Sequence, residues 1–364
     1  MTYMKLRKAF LCLSLLGAFS AQADSVTRDL SNGDWVYQLS NPDNINEQIE
    51  WRYTPRNQVD PKIKSDVFWD GKKFIYRYKV SNGKKAKHAM AFLMLRGLFV
   101  VDLPAETLFV KTEQTTFLDR LNHAEIQRKA IEEIQNATMT APPNWYSKWT
   151  LKNKKNEDYT KYGWFPNVDD DSYKGVAVGK TVKGFGIARP ELPGVMFAET
   201  KGATDNRIMK GGLPETGPIA DAVKTMQEED TVWVPVLTPS IVIPQPYNGA
   251  ELARRIKAHV NYWLKLGLIT QDTLDRLNRS FDALINAQAY NNIAGTHAAV
   301  REILQEAYSH HHGLDHTKNE EDDDEHDAEP VKRKAPAIVP LHRVAARALS
   351  FDLTYLLTRA YIGK

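Results

Sequence analysis

The residues best suited to chemistry lie in one segment, Ser309 to Glu329 (SHHHGLDHTKNEEDDDEHDAE), which holds five histidines and nine carboxylates. Neutral imidazole binds Zn²⁺, Ni²⁺ and Cu²⁺, while carboxylates add charge and oxygen ligands. The candidate metal ligands are His310, His311, His312, Asp315, His316 and His326. On this interpretation the segment holds Zn or Ni loosely and releases the metal below about pH 6, when its histidines become protonated.

The same composition also fits a disordered, solvated loop over 309–335 that only connects two helices. Eight acidic residues crowd into Glu320 to Glu329, and the basic run Lys332-Arg333-Lys334 follows. The basic run could fold back on the acids, so both interpretations remain open.

A second candidate site is an aromatic segment over 145–165, in which lysines alternate with rings. The candidate ligand-binding residues are Trp145, Tyr146, Trp149, Tyr162 and Trp164. Flat aromatic faces with polar neighbours suit sugar or peptide surfaces. The alternative is that these rings cover one end of a hydrophobic core.

A calcium-loop pattern begins at Asn167 and continues through Asp169 and Asp171. The helix-loop-helix calcium motif requires Gly at its sixth place and Glu at its twelfth, where this chain has Ser172 and Val178. This leaves Asp169 and Asp171 as candidates for calcium at a looser loop, with a plain solvated turn as the alternative.

Recognisable catalytic motifs are absent from the sequence. It contains neither Gly-x-Ser-x-Gly nor His-Glu-x-x-His, and its one cysteine is Cys12. The sequence therefore favours a protein that is not an enzyme. A glycan-directed hydrolase stays open as an alternative, because it needs only two carboxylates; Glu106, Glu191 and Glu199 are candidates.

The N-terminus has the pattern of a secretory signal peptide. Lys5, Arg7 and Lys8 precede an apolar run, and Ala21-Gln22-Ala23 predicts cleavage after Ala23. We therefore expect a periplasmic or extracellular protein. Three of the 48 basic residues lie in this leader, so 45 basic residues balance 45 acidic ones in the rest. This balance argues against a nucleic-acid partner, and no later segment is apolar enough to span a membrane.

Residues 24–246 read as β-rich. Phe74 to Val80 alternates apolar and polar residues, as a half-buried strand does. Further strands are predicted over Ala89–Val101, Val182–Ile187, Val195–Phe197 and Thr231–Val236, with a turn at Leu192-Pro193-Gly194. A helical insertion is predicted over 117–137, which lacks Gly and Pro and is rich in helix formers.

Residues 247–364 switch to helical periodicity after a proline-rich boundary. Asn248 and Glu251 have the spacing of a capping box, Gly267 ends the first helix, and Thr270 begins the second. Two more apolar stripes follow, one near Val300 and one from Leu341 to Tyr361. Short connections favour a small helical bundle.

Two patterns resemble known families. Tyr76-x-Tyr78-x-Val80-x-Asn82, with Gly184-Phe185 and Leu192-Pro193-Gly194, resembles secreted bacterial proteins with immunoglobulin-like β-sandwich domains. The run from His259 to Thr270 (HVNYWLKLGLIT) resembles the FIMAH-type helical domains of surface proteins. The resemblance implies an α+β, multidomain, non-catalytic protein that binds an envelope or extracellular polymer or protein. It transfers no active-site residue.

Overall fold

The structure, a computed structural model, describes residues 24–41, 44–99, 139–154, 157–167, 175–204, 216–309 and 340–362. Within these ranges the chain forms three antiparallel sheets and five helices. The predicted leader 1–23 and the predicted helical insertion 117–137 lie outside the described residues. Residues 310–335 of the predicted loop also lie outside them.

The strands fall into three sheets. The first sheet contains β1 (Ser25–Arg28), β2 (Trp35–Asn41) and β3 (Asn44–Tyr53). The second has the order β4 (Pro61–Trp69), β5 (Phe74–Asn82), β10 (Thr181–Arg189) and β7 (Met139–Thr140). The third has the order β12 (Val232–Ile241), β11 (Leu192–Thr200), β6 (Leu93–Phe99), β9 (Glu157–Pro166) and β8 (Trp145–Lys154).

The helices are α1 (Pro218–Glu229), α2 (Gly249–Lys265), α3 (Gln271–Ala289), α4 (Ile293–Ser309) and α5 (Arg343–Ile362). None of these described helices is both long enough and apolar enough to cross a bilayer. The last four confirm the helical periodicity predicted after residue 247. The first was not predicted, although Pro at its start and a run of helix formers were signals for it.

The three-stranded sheet and α1 share a small hydrophobic core of their own. Tyr37, Leu39 and Tyr53 of the sheet pack with Ile219 and Met226 of the helix. Asp230, the residue that follows α1, accepts hydrogen bonds from the Tyr53 hydroxyl and the Arg56 N–H. The N-terminal strands are therefore held to the chain near residue 230.

The two larger sheets share a second hydrophobic core. On β5 the buried residues are Phe74, Tyr76, Tyr78, Val80 and Asn82, which confirms the predicted alternation. The ring of Tyr78 lies 5.9 Å from that of Trp164 in the other sheet. Its hydroxyl donates to the Leu237 carbonyl at 2.9 Å.

The predicted turn at Leu192-Pro193-Gly194 is wrong, because these residues begin β11. The chain turns earlier, where Arg189 donates two hydrogen bonds to the Glu191 carboxylate at 2.8 and 2.6 Å. Pro193 has no N–H, and the register shift beside it lets the strand accommodate the missing donor. This turn carries the chain from the four-stranded sheet to the five-stranded one.

The predicted helix caps are largely confirmed. The Asn248 side chain accepts the Glu251 N–H at 2.9 Å, and Gly267 adopts a φ of 68° just beyond α2. Thr270 precedes α3 but makes no side-chain capping hydrogen bond. The two predicted apolar stripes face the core, where Val300, Ile303, Leu341, Leu349 and Leu356 are buried.

The core of the two larger sheets continues into α2 to α5 without a break. Phe351 and Tyr355 of α5 contact the ring of Phe74 at 5.7 and 5.6 Å. His259 of α2 accepts a hydrogen bond from the Val195 N–H of β11 at 3.0 Å. A methyl group on Gly194 would lie 2.2 Å from the His259 ring, so glycine is what allows α2 to approach this closely.

Candidate functional site

The five predicted ligand-binding aromatics do not share one environment. Trp145, Tyr162 and Trp164 are 9, 2 and 0% exposed and belong to the core, whereas Tyr146 is 46% exposed. β8 pairs with β9 so that Tyr146 lies opposite Phe165 and Trp145 opposite Pro166. Neighbouring residues on a strand point to opposite faces, which separates Tyr146 from the buried rings. The side chain of Trp149 is outside the described part of the chain.

Register places further aromatic residues on the same outer face as Tyr146. We call the set Phe92, Tyr146, Phe165, Phe197 and Trp233 the aromatic face. Tyr146 stacks on Phe165 at 5.5 Å with 27° between the rings, and Phe92 lies 5.9 Å from Phe165. At the opposite edge of the sheet Phe197 contacts Trp233 at 6.4 Å, and Trp233 is 41% exposed. The aromatic face therefore reaches from β8 to β12.

Charged side chains lie between the two groups of rings. Lys161 of β9 forms an ion pair with Glu199 of β11 at 2.9 Å. The guanidinium of Arg96 on β6 lies 4.9 Å from the centre of the Trp233 ring, within cation–π range. A ligand on this face would meet ring faces together with hydrogen-bonding groups of both signs.

Gly163 lies near the middle of the face, opposite both Met94 and Lys148. A methyl group there would come within 2.7 Å of the Phe165 ring and 3.3 Å of the Lys148 carbonyl. The missing side chain lets Phe165 lie flat against the sheet.

The sequence patterns missed Phe92, Phe197 and Trp233. Trp233 lies within a predicted strand beside Pro235. Alternation along that strand could have indicated that its side chain points away from the core. No local pattern could have placed it on the same face as Tyr146, because β8 and β12 are separated by three other strands.

The predicted metal-binding residues are not in the described part of the chain. This holds for His310, His311, His312, Asp315, His316 and His326, and for Asp169 and Asp171 of the calcium candidate. Within the described ranges, no group of three or more His, Cys, Asp or Glu side chains could hold a metal ion.

Two of the three hydrolase candidates, Glu191 and Glu199, form ion pairs with cationic side chains. The carboxylate of Glu191 is buried against Arg189, and that of Glu199 pairs with Lys161. Glu106 is outside the described residues. A retaining or inverting glycosidase needs two accessible carboxyl groups facing one bond, and these ion pairs disfavour Glu191 and Glu199 for that role.

Two titratable groups are buried between helices and sheets, away from the aromatic face. Burial lowers the pKa of His259 to about 4, so its imidazole is neutral and can accept the Val195 hydrogen bond. Burial raises the pKa of Asp352 on α5 well above its usual value. Both side chains are buried, so a ligand cannot reach them.

Comparison with known proteins gives no match: the chain corresponds to no family model, no curated protein and no solved structure.

Proposed function

We propose that this chain is a non-catalytic binding protein, exported to the periplasm or the cell exterior, whose ligand contacts the aromatic face. The observation that carries the proposal is the register that aligns aromatic residues of β8, β9, β11 and β12 on one side of one sheet. Exposed rings beside charged groups suit the flat faces and hydroxyl groups of sugars. The signal-like N-terminus supports an envelope or extracellular glycan as the ligand.

The spacing of the exposed rings favours an extended ligand. Tyr146 and Trp233 lie on the two edge strands of a five-stranded sheet. Four strand spacings separate them, or about 19 Å. A single sugar cannot contact both rings, whereas a chain of several sugars can.

We also propose that the two larger sheets form an immunoglobulin-like sandwich. Ring contacts between them support this arrangement, with Trp164 of the five-stranded sheet lying 5.8 Å from Phe185 of the four-stranded one. An edge-on contact of Phe185 with Trp145 at 5.1 Å supports it further.

The glycan proposal predicts that Tyr146→Ala and Trp233→Ala each weaken retention on purified peptidoglycan. Each substitution removes one ring face, at roughly 1 kcal/mol or fivefold in Kd, and the pair should lose about thirtyfold because the sites are far apart. Pull-down with insoluble peptidoglycan measures the loss.

Tyr290→Ala is the matched control, because Tyr290 is 84% exposed at the end of α3, a helix that packs against α2 and α4. If the double variant is retained as well as the Tyr290 control, the aromatic face is not the ligand site.

The histidine-rich segment supports a second proposed function, periplasmic metal handling. Titration calorimetry of the full chain with Zn²⁺ or Ni²⁺ should show binding heat that is lost when residues 310–329 are deleted. A variant with its five histidines in this segment changed to Gln should lose the heat as well, since neutral imidazole is the preferred ligand. Unchanged heats after the deletion would exclude the segment as the metal site.

A further inference from the structure

The outer face of the four-stranded sheet carries a row of lysines. Lys79 of β5 lies directly opposite Lys64 of β4 on one side and Lys183 of β10 on the other. Lys62 and Arg77 occupy the same face one row away in either direction. Of these five residues, which we call the basic face, Lys79 is half-buried and the other four are exposed.

This arrangement works against the stability of the sheet. Like charges directly opposite each other on neighbouring strands repel, and here three adjacent strands each contribute one. In the part of the chain that the structure describes, neither Lys79 nor Lys183 has a carboxylate within ion-pair distance. Among the described residues of the four strands, one carboxylate shares this face: Asp66, which lies opposite Arg77 and 3.6 Å from Arg347 of α5. These strands therefore contribute five cations and one carboxylate to the face.

The cations are spread over two dimensions of an open sheet surface. Lys64, Lys79 and Lys183 run across the strands, at about 4.8 Å per strand. Lys62, Lys64 and Asp66 run along β4. A linear polyanion is usually held in a groove that follows its backbone, whereas a flat array of charges fits an extended anionic surface.

An exposed apolar border lies at one end of the basic face. Phe68 shares the face and packs under the guanidinium of Arg77 at 4.5 Å. This phenylalanine is 37% exposed. Aromatic residues beside cations are typical of surfaces that rest at the boundary between lipid headgroups and water.

We propose that the basic face binds the anionic headgroups of a lipid bilayer and holds the protein on a membrane surface. Lysine ammonium groups interact with phosphate as point charges, without the fixed geometry that arginine imposes. The aromatic face lies on the outer side of the other large sheet.

Vesicle flotation with the full chain tests the proposal. The vesicles are pure phosphatidylcholine or contain 30% phosphatidylglycerol, in 50 mM and in 500 mM salt. We expect the protein to float only with the anionic vesicles and only in low salt, because the Debye length falls steeply between the two conditions. No binding to anionic vesicles in low salt would overturn the proposal.

The variant Lys64→Gln/Lys79→Gln/Lys183→Gln should reduce partitioning about 100-fold, since each cation near an anionic surface contributes about fivefold. The control Lys224→Gln/Lys265→Gln/Arg279→Gln removes the same charge from exposed positions on α1, α2 and α3. If both triple variants lose binding equally, the effect is one of net charge and the basic face is not the site.

Thermal melting separates loss of the surface from loss of the fold. Because the substitutions remove repulsion, the Lys→Gln variant should melt in low salt at or above the temperature of the unmodified chain. A last measurement tests whether the protein binds inorganic polyphosphate, a soluble polyanion. If it binds the basic face while anionic vesicles do not, the surface recognises a soluble polyanion and the bilayer proposal fails.

Discussion

The buried Asp352 should make the protein less stable as the pH rises above about 4, and Asp352→Asn should remove this loss of stability. Asp352 is 1% exposed on α5, and burial raises the pKa of its carboxyl group well above the usual 3.8. Its Oδ1 atom has no hydrogen-bond partner within the described structure. Burial therefore favours the neutral, protonated form of this carboxyl group.

The direction of this pH dependence follows from proton binding by the folded and the unfolded chain. Above about pH 4 the unfolded chain releases the Asp352 proton while the folded chain keeps it, so each unit of rising pH favours the unfolded chain. The penalty grows by up to about 1.4 kcal/mol per pH unit until the folded-state pKa is reached. Asparagine has a similar shape and does not titrate.

Urea denaturation at one-unit steps from pH 4 to pH 8 measures this difference. The free energy of unfolding of Asp352→Asn should rise relative to that of the unmodified chain as the pH increases. Asp272→Asn, an exposed change near the start of α3, should show no such divergence. If the curves for Asp352→Asn and the unmodified chain run parallel, Asp352 is not held in its protonated form.

His259→Gln should make the protein more resistant to acid. Burial lowers the pKa of His259 from 6.5 to about 4, so below pH 6.5 the unfolded chain takes up a proton that the folded chain refuses. The stability that neutral His259 provides is complete above pH 6.5. About 3 kcal/mol of this stability is lost as the pH falls from 6.5 to about 4.

Glutamine does not titrate, and its side-chain oxygen can replace Nε2 as the acceptor of the Val195 N–H. The free energy of unfolding of His259→Gln, measured by denaturation, should therefore lose the acid-side decrease between pH 6.5 and pH 4. His297→Gln on α4 should leave that slope in place. A retained slope in His259→Gln would show that other groups cause the acid sensitivity.

Both groups lie where helices dock on the sheets. His259 joins α2 to β11, and Asp352 lies on α5, whose neighbours Phe351 and Tyr355 pack against Phe74. Each group must remain neutral to stay buried, since charging a buried side chain without a partner is costly. We therefore expect the helices to loosen from the sheets at both ends of the pH range, with the most stable packing between them.

The proposed ligand and membrane surfaces belong to different sheets. The aromatic face belongs to the five-stranded sheet and the basic face to the four-stranded sheet, and the inner residues of the two sheets meet in one core. The two surfaces share no residue, so each can be altered by substitution without changing the residues of the other.

Several features could be predicted because their signals are local. The alternation of β5 follows from consecutive residues, and the cap at Asn248 follows from the Glu251 N–H three positions later. Gly267 was identified as a helix end because glycine tolerates a positive φ there. The turn placed at Leu192 failed because proline and glycine also occur where a strand is irregular and closely packed.

The candidate surfaces could not be predicted in the same way. Trp145 and Tyr146 are adjacent in sequence, yet one is buried and the other exposed, and the direction of that alternation depends on how β8 pairs with β9. Lys64 and Lys183 are far apart along the chain and meet on either side of Lys79 only through two strand registers.

By itself, the sequence determined the type of five strands, β5, β6, β10, β11 and β12, and of the helices α2 to α5, because periodicity and capping depend on residues a few positions apart. It also determined the overall balance of charge and the lack of recognisable catalytic motifs. Only the tertiary structure decided which aromatic rings are exposed, which lysines are neighbours, and that Asp352 and His259 are buried. These properties depend on contacts between distant segments, which no local pattern specifies.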